Sequence, residues 1–162
     1  MSFRYVAVLS LWLLAVPLFS QQTSDVVKEE TFRSLDANGK LTVSERTVSR
    51  ESTANGSTHV VTEIYSSFVP GVALEFGGPL ELTRRIRVTT TSTTDGGRLT
   101  TTEIEERVPA VTNTMMHVVA RKVETVRQIE PGLWETRRQS FALDGNGRFM
   151  LVGDERETAV EK

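Results

Sequence analysis

The two histidines of the chain, His59 and His117, are the residues whose chemistry first suggests a site. They occupy equivalent positions of an internal repeat, so stacked repeat units could bring the two imidazoles together. A metal site normally needs a third or fourth ligand, and the chain has no cysteine to supply one. We therefore interpret both histidines as strand residues on the face opposite Val60 and Val118, and we predict no metal site.

Two aspartates begin segments, at 36–39 and 144–147, whose residue types match the start of a calcium-binding loop. The fifth position of such a loop needs an oxygen ligand, but this chain has Lys40 and Arg148 there. A cation at that position would repel calcium. Asp-Gly and Asn-Gly also supply the positive φ angles of tight hairpins. We therefore predict β-turns at both places.

The chain carries little recognisable catalytic equipment. It contains no Gly-x-Ser-x-Gly nucleophile motif and no glycine-rich phosphate loop. Carboxylates cluster at Glu103, Glu105 and Glu106, and the first two would share one face of a strand, where such runs are usually solvated. We expect no enzymatic activity, no catalytic residue and no cofactor. A hydrolase built on His59 or His117 stays a third alternative.

Three aromatic residues are the candidates for an interaction site: Trp134, Tyr65 and Phe76. Trp134 follows a Pro-Gly turn at a predicted strand start. An exposed indole there would stack on a sugar or on a partner protein, although a tryptophan is more often an anchor in a core or an interface. Trp134, Tyr65 or Phe76 would line the pocket of a ligand- or glycan-binding domain.

Arg84, Arg85 and Arg87 form a basic cluster that alternates between the two faces of a predicted strand. The whole chain has 19 Lys and Arg against 21 Asp and Glu, with a net charge of −2. That balance gives no case for binding nucleic acid. We predict instead that these arginines pair with glutamates on neighbouring strands, which helps to set register and protects sheet edges.

Residues 1–20 have the layout of a secretory signal peptide: Arg4 in a short head, an apolar run at 6–19, and Ser20 as the cleavage point. The run is shorter than the about 20 residues of a membrane-spanning helix. Cleavage after Ser20 places Leu18 where a small residue is preferred, so an uncleaved anchor is the alternative. We expect a secreted, periplasmic or cell-surface protein with no transmembrane helix after signal removal.

Residues 21–162 are predicted to form a single repetitive all-β domain of antiparallel hairpins. The segments 59–68 and 80–93 alternate between apolar or β-branched and polar residues, as half-buried strands do. The segment 116–126 has apolar residues at helical spacing, but its valines favour a strand. About nine or ten strands are expected, separated by turn motifs at 36–39, 55–56, 70–71, 77–79, 95–97, 131–132 and 144–147.

An internal repeat organises these strands. An offset of 58 positions aligns Gly39 with Gly97 and His59 with His117. Repeat units bury a core together that no unit buries alone. We predict a fold built from two such units and a partial third, arranged as a sandwich or as an extended repeat sheet. The units are 36–94, 95–143 and 144–162.

Apolar material is scarce for a thick core. Hydrophobic residues make up 38% of the chain, and many of them lie within residues 1–20. Such a domain is expected to lean on another protein or on a copy of itself, by strand addition at open sheet edges. The leading hypothesis is thus an exported, non-enzymatic structural or protein-interaction module. The alternative is a secreted ligand- or glycan-binding β-domain.

Overall fold

The computed structural model describes residues 26–35, 38–67, 79–107 and 115–160. Within these ranges the chain forms eight strands and no helix, which confirms the all-β prediction. Each strand pairs antiparallel with the next one along the chain, in a single meander from β1 to β8. The strands are β1 (Val26–Leu35), β2 (Leu41–Ala54), β3 (Ser57–Ser66), β4 (Glu81–Ser92), β5 (Arg98–Arg107), β6 (Met116–Glu130), β7 (Leu133–Leu143) and β8 (Phe149–Val160).

Turn chemistry sets the strand boundaries. Five of the seven turn motifs connect described strands, and each has one glycine at positive φ. Asn55 and Gly56 have φ angles of 52° and 73°, the conformation of a two-residue hairpin turn that most residues avoid. The motifs at 70–71 and 77–79 overlap the segment 68–78, which is outside the described residues. Among the described residues, the other glycines at positive φ are Gly39, Gly96, Gly132 and Gly147.

The strand assignment of the segment 116–126 is confirmed, because it lies within the 15-residue strand β6. Its apolar spacing has a simple cause. Val123 pairs with Thr101 on one face of the sheet, whereas Val126 pairs with Arg98 on the other. The valines of β6 therefore lie on both faces of the strand. Apolar residues on alternate faces can be three or four positions apart in the sequence without forming a helix.

β-Bulges interrupt the alternation that the sequence predicts. In the β3–β4 pair, Ile64 lies opposite Arg84 and Tyr65 lies opposite Leu82, so Thr83 is an extra residue. The prediction of unbroken alternation over 80–93 is therefore wrong at Thr83. Similar register shifts occur in the β1–β2, β5–β6, β6–β7 and β7–β8 pairs. Each bulge inserts a residue, and bulges locally increase the twist of a sheet.

Both faces of the sheet carry ion pairs, and each face has one distinguishing cluster. On the aliphatic face, Val60 pairs with Val88, and Ile86 pairs with Ile104, beside ion pairs such as Arg84 with Glu106. The salt-bridged face carries Glu63, Glu105 and the arginines that pair with them. Val48, with 4% of its surface exposed, is the one buried hydrophobic residue among those described. The described strands thus form one layer, in which cross-strand contacts take the place of a deep core. No helix in the described ranges is long and apolar enough to cross a membrane.

Candidate interaction surface

Five charged side chains form a continuous network across β2 to β5 on the salt-bridged face. Glu63 accepts hydrogen bonds from Arg50 Nη1 at 2.8 Å and from Arg85 Nη2 at 2.9 Å. Glu105 lies 3.2 Å from Arg85 Nη1 and 2.5 Å from Arg87 Nη1. The charges alternate in sign, and each carboxylate holds two guanidinium groups. The predicted pairing of the basic cluster with glutamates of neighbouring strands is confirmed.

Glu105 is buried, with 5% of its surface exposed. We expected its carboxylate to be solvated, and for this residue the expectation is wrong. Arg85 lies directly opposite Glu105 on the neighbouring strand, and Arg87 also reaches its carboxylate. Together the two long side chains shield Glu105 from water. A run of charges in a sequence does not show which side chains will lie across from it.

Tyr65 belongs to the same network. Its hydroxyl donates a hydrogen bond to Glu63 Oε2 at 3.0 Å. Burial, together with this hydrogen bond to a carboxylate, raises the pKa of the Tyr65 hydroxyl. The hydroxyl therefore acts within the sheet, as a further donor to Glu63.

The structure does not bring the predicted aromatic residues together. Trp134 lies half-buried on β7, opposite Gln128 and Ala159. Tyr65 is on β3, four strands away, which is about 19 Å at the usual strand spacing. Phe76 is outside the described residues. Trp134 and Tyr65 therefore cannot line one pocket.

The two histidines are also separated. His59 Nδ1 lies 3.2 Å from Thr89 Oγ1, within one strand pair. His117 is on β6, three strands from His59, and it lies opposite Glu106 of β5. The residues that the structure describes contain no group of three His, Cys, Asp or Glu side chains suited to hold a metal ion.

Two turn aspartates within the described residues, Asp95 and Asp144, bind their own backbone; Asp36 lies outside those residues. Asp144 Oδ1 accepts the N–H groups of Asn146 and Arg148, each at 2.8 Å. Asp95 Oδ1 accepts the Gly97 N–H at 3.3 Å and also binds the Thr93 hydroxyl. These bonds account for the aspartates as turn-forming residues.

A depression of about 360 Å³ lies over β5 to β8. Two of its four charged lining groups are paired: Glu124 accepts a hydrogen bond from Arg138 at 3.0 Å and another from Arg98 at 3.1 Å. The two cations and two carboxylates of the lining balance in charge. Its lining is Thr100, Thr102, Lys122, Val123, Glu124, Arg138, Gln139, Ser140, Gly153 and Glu155.

Exposed apolar side chains concentrate on the two edge strands, β1 and β8. Each edge strand has one neighbour in the described sheet, so its outer backbone faces no described strand. A backbone edge with apolar side chains is a template for pairing with another chain. Among the residues that the structure describes, thirteen large hydrophobic side chains are exposed, and eight of them are on these strands: Val27, Phe32, Leu35, Phe149, Met150, Leu151, Val152 and Val160.

Comparisons with known proteins were made at three levels. No family model matches the chain, and no curated protein or solved structure matches it. Function is therefore inferred from the edges, the depression and the paired charges of the sheet.

The paired carboxylates are expected to make the fold sensitive to acid. A hydrogen bond from Arg50 lowers the pKa of Glu63 below its ordinary value, and one from Arg137 lowers the pKa of Asp154. As pH falls, the unfolded chain protonates these two carboxylates at a higher pH than the folded protein does. The stabilisation is therefore complete above the ordinary carboxyl pKa and is lost as pH falls through the lowered pKa values. Urea midpoints should drop between about pH 7 and about pH 3.5. Equal midpoints would contradict this expectation.

Proposed function

We propose that the protein is an exported, non-enzymatic module that serves as a structural or protein-interaction element of the periplasm, the cell surface or the extracellular space. The observation that carries this proposal is the pair of edge strands, whose outer backbone faces no described strand and whose apolar side chains are exposed. Strand addition uses these two features, since main-chain hydrogen bonds give affinity and side chains give specificity. The signal-peptide pattern of residues 1–20 supports export.

The single layer of the sheet also supports the proposal. Its cohesion comes from cross-strand pairs, and a further strand at either edge would add interactions of the same kind. The repeat hypothesis agrees with this picture. The units 36–94, 95–143 and 144–162 would contain β2–β4, β5–β7 and β8, so the sheet would be built from similar three-strand pieces.

The depression over β5 to β8 favours the second candidate, a ligand- or glycan-binding domain. Its volume of about 360 Å³ is at the lower end of the range for small-molecule sites. The two cations and two carboxylates of its lining balance, so they give no net attraction for a charged ligand. A neutral polar ligand, such as a sugar, would suit it better.

An edge variant tests the leading function. We expect Val27→Lys combined with Leu151→Lys to reduce self-association and capture of exported partner proteins by at least about tenfold, because a lysine on an edge strand disfavours pairing. The readouts are solution mass by light scattering over a concentration series and affinity capture from the exported fraction.

Leu41→Lys and Leu99→Lys are the controls, because both residues are exposed on inner strands. The proposal fails if the edge variant assembles and captures like the parent protein. If sugar binding is detected and Ser140→Trp abolishes it by filling the depression, the second candidate takes its place.

A further inference from the structure

We propose that the partner of the sheet edges is a second copy of this chain, added head to tail, with β8 of one copy antiparallel to β1 of the next. This inference rests on the proposed function and names its partner. In a meander of eight strands the first and last run in opposite directions. A second copy in the same orientation would therefore continue the antiparallel order without any rearrangement.

One register of this pairing matches both strand lengths and faces. Placing Lys28 opposite Glu157 brings the ten-residue β1 alongside the twelve-residue β8 with little overhang. Lys28 and Glu157 are both on the aliphatic face of the sheet. Residues directly opposite each other share a face, and successive pairs across the strands lead from Lys28 to Ile86 and from Glu157 to Val126. Every other pair in this register then also joins residues of the same face, as antiparallel pairing requires.

The charges in this register are complementary. Lys28 meets Glu157 on one face, and Glu29 meets Arg156 on the other. On the first face the new contact joins two existing ion pairs, Glu157 with Arg138 at 3.1 Å and Lys28 with Glu30 at 2.6 Å. The result is a row of alternating sign that crosses from one copy to the next, like the network within the sheet.

A second existing ion pair extends in the same way on the salt-bridged face, where Arg46 lies 2.8 Å from Glu29. Arg156 of the neighbouring copy would give Glu29 a second cation. The register has one like-charged pair, Glu30 opposite Glu155, and the ion pair between Glu30 and Lys28 offsets it.

Apolar side chains also find neighbours in this register. Phe32 is exposed, and it would lie opposite Gly153, where its ring covers backbone that has no side chain of its own. Past the bulge at Val152, Leu35 would face Phe149, and both are exposed. The pairing would thus cover hydrophobic surface at one end of the strands and match charges at the other.

Competing arrangements are less favourable. Sliding β1 by two residues one way places Glu29 opposite Asp154, and sliding it the other way places Glu30 opposite Glu157. Each slide leaves one oppositely charged pair, whereas the proposed register has two. Pairing two β8 strands symmetrically about residue 155, 156 or 157 sets like charges against each other. Like charges directly opposite each other destabilise a strand pair.

The head-to-tail contact is heterologous and open, so copies would add in a line, each extending the sheet by about 38 Å.

Engineered disulfides test the register, because the natural chain has no cysteine. Thr158 and Val27 lie opposite each other in the proposed contact. Within one chain they are on opposite edges of the sheet, about 34 Å apart and beyond the reach of a disulfide. We expect the natively processed Val27→Cys/Thr158→Cys protein to form a ladder of linked dimers, trimers and longer chains on mild oxidation.

The matched control for register is Thr31→Cys/Thr158→Cys, which displaces one cysteine by four residues, or about 13 Å. It should form at least about tenfold less linked product. Charge exchange gives a second readout: Lys28→Glu and Glu157→Lys should each weaken association by about fivefold, and the double variant should recover most of it. Glu51→Lys, an exposed change on the inner strand β2, should have no effect.

Two outcomes overturn the proposal: a Val27→Cys/Thr158→Cys protein that stays unlinked, or a shifted control that links equally well. Either outcome leaves the broader function standing if the Val27→Lys/Leu151→Lys variant still loses a different exported partner. If that variant loses nothing and the parent protein is monomeric at every concentration, both proposals fail.

Discussion

Replacing Arg85 with methionine is expected to lower the free energy of unfolding by about 2–4 kcal/mol. Arg84→Met, on the opposite face of the same strand, should cost less than about 1 kcal/mol. Both changes remove one guanidinium and keep a long apolar side chain. The difference between them therefore measures what the network on the salt-bridged face contributes.

The large effect follows from the burial of the partners of Arg85. The Glu63 and Glu105 side chains are only 12% and 7% exposed, and Arg85 hydrogen-bonds to both. Without Arg85, each carboxylate keeps one cation but loses part of its compensation in a poorly hydrated place. Arg84 and its partner Glu106 are 50% and 37% exposed, so water replaces their lost contact.

Denaturant unfolding followed by circular dichroism provides the measurement. The deficit of Arg85→Met relative to the parent protein should shrink as pH falls through the lowered pKa of Glu63, because protonation removes the charge that Arg85 compensates. Equal losses for Arg84→Met and Arg85→Met, or a deficit that does not depend on pH, would show that the network adds nothing beyond surface pairing.

Local chemistry predicts much of this fold. Asn55-Gly56 and Pro131-Gly132 mark hairpins, and both end a strand where the sequence places the turn. The period-two pattern likewise places Ile86 and Val88 on one face of β4. These features depend on residues close together in the chain, so a sequence reveals them directly.

Lateral register was harder to predict. The bulge at Thr83 depends on how two strands fit together, and nothing in the residues around Thr83 requires it. Burial of Glu105 likewise needs Arg85 and Arg87 from another strand. The separation of Tyr65 from Trp134 follows from strand order. Sequence spacing indicates the strands themselves, but contacts across the sheet depend on topology and bulges.

Gly97→Ala is the second change with a large expected effect. Gly97 is buried at the turn between β4 and β5, where the long strand β6 passes close by. An added Cβ would overlap the Val126 carbonyl oxygen and would stand 2.8 Å from Thr93 Oγ1. Because the main obstacle is backbone, a side-chain rotation cannot relieve it. We expect a loss of about 3 kcal/mol in the free energy of unfolding.

The matched control is Gly145→Ala in the turn between β7 and β8, where an added Cβ has no atom within 4 Å. That change should be neutral, or stabilising by about 0.5 kcal/mol through a less flexible unfolded chain. Hydrogen exchange should locate the damage of Gly97→Ala at the end of the β5–β6 pair, where Arg98 lies opposite Val126. If Gly97→Ala were as mild as Gly145→Ala, β6 would have to yield at Val126, and close packing of this turn against β6 would not be needed for stability.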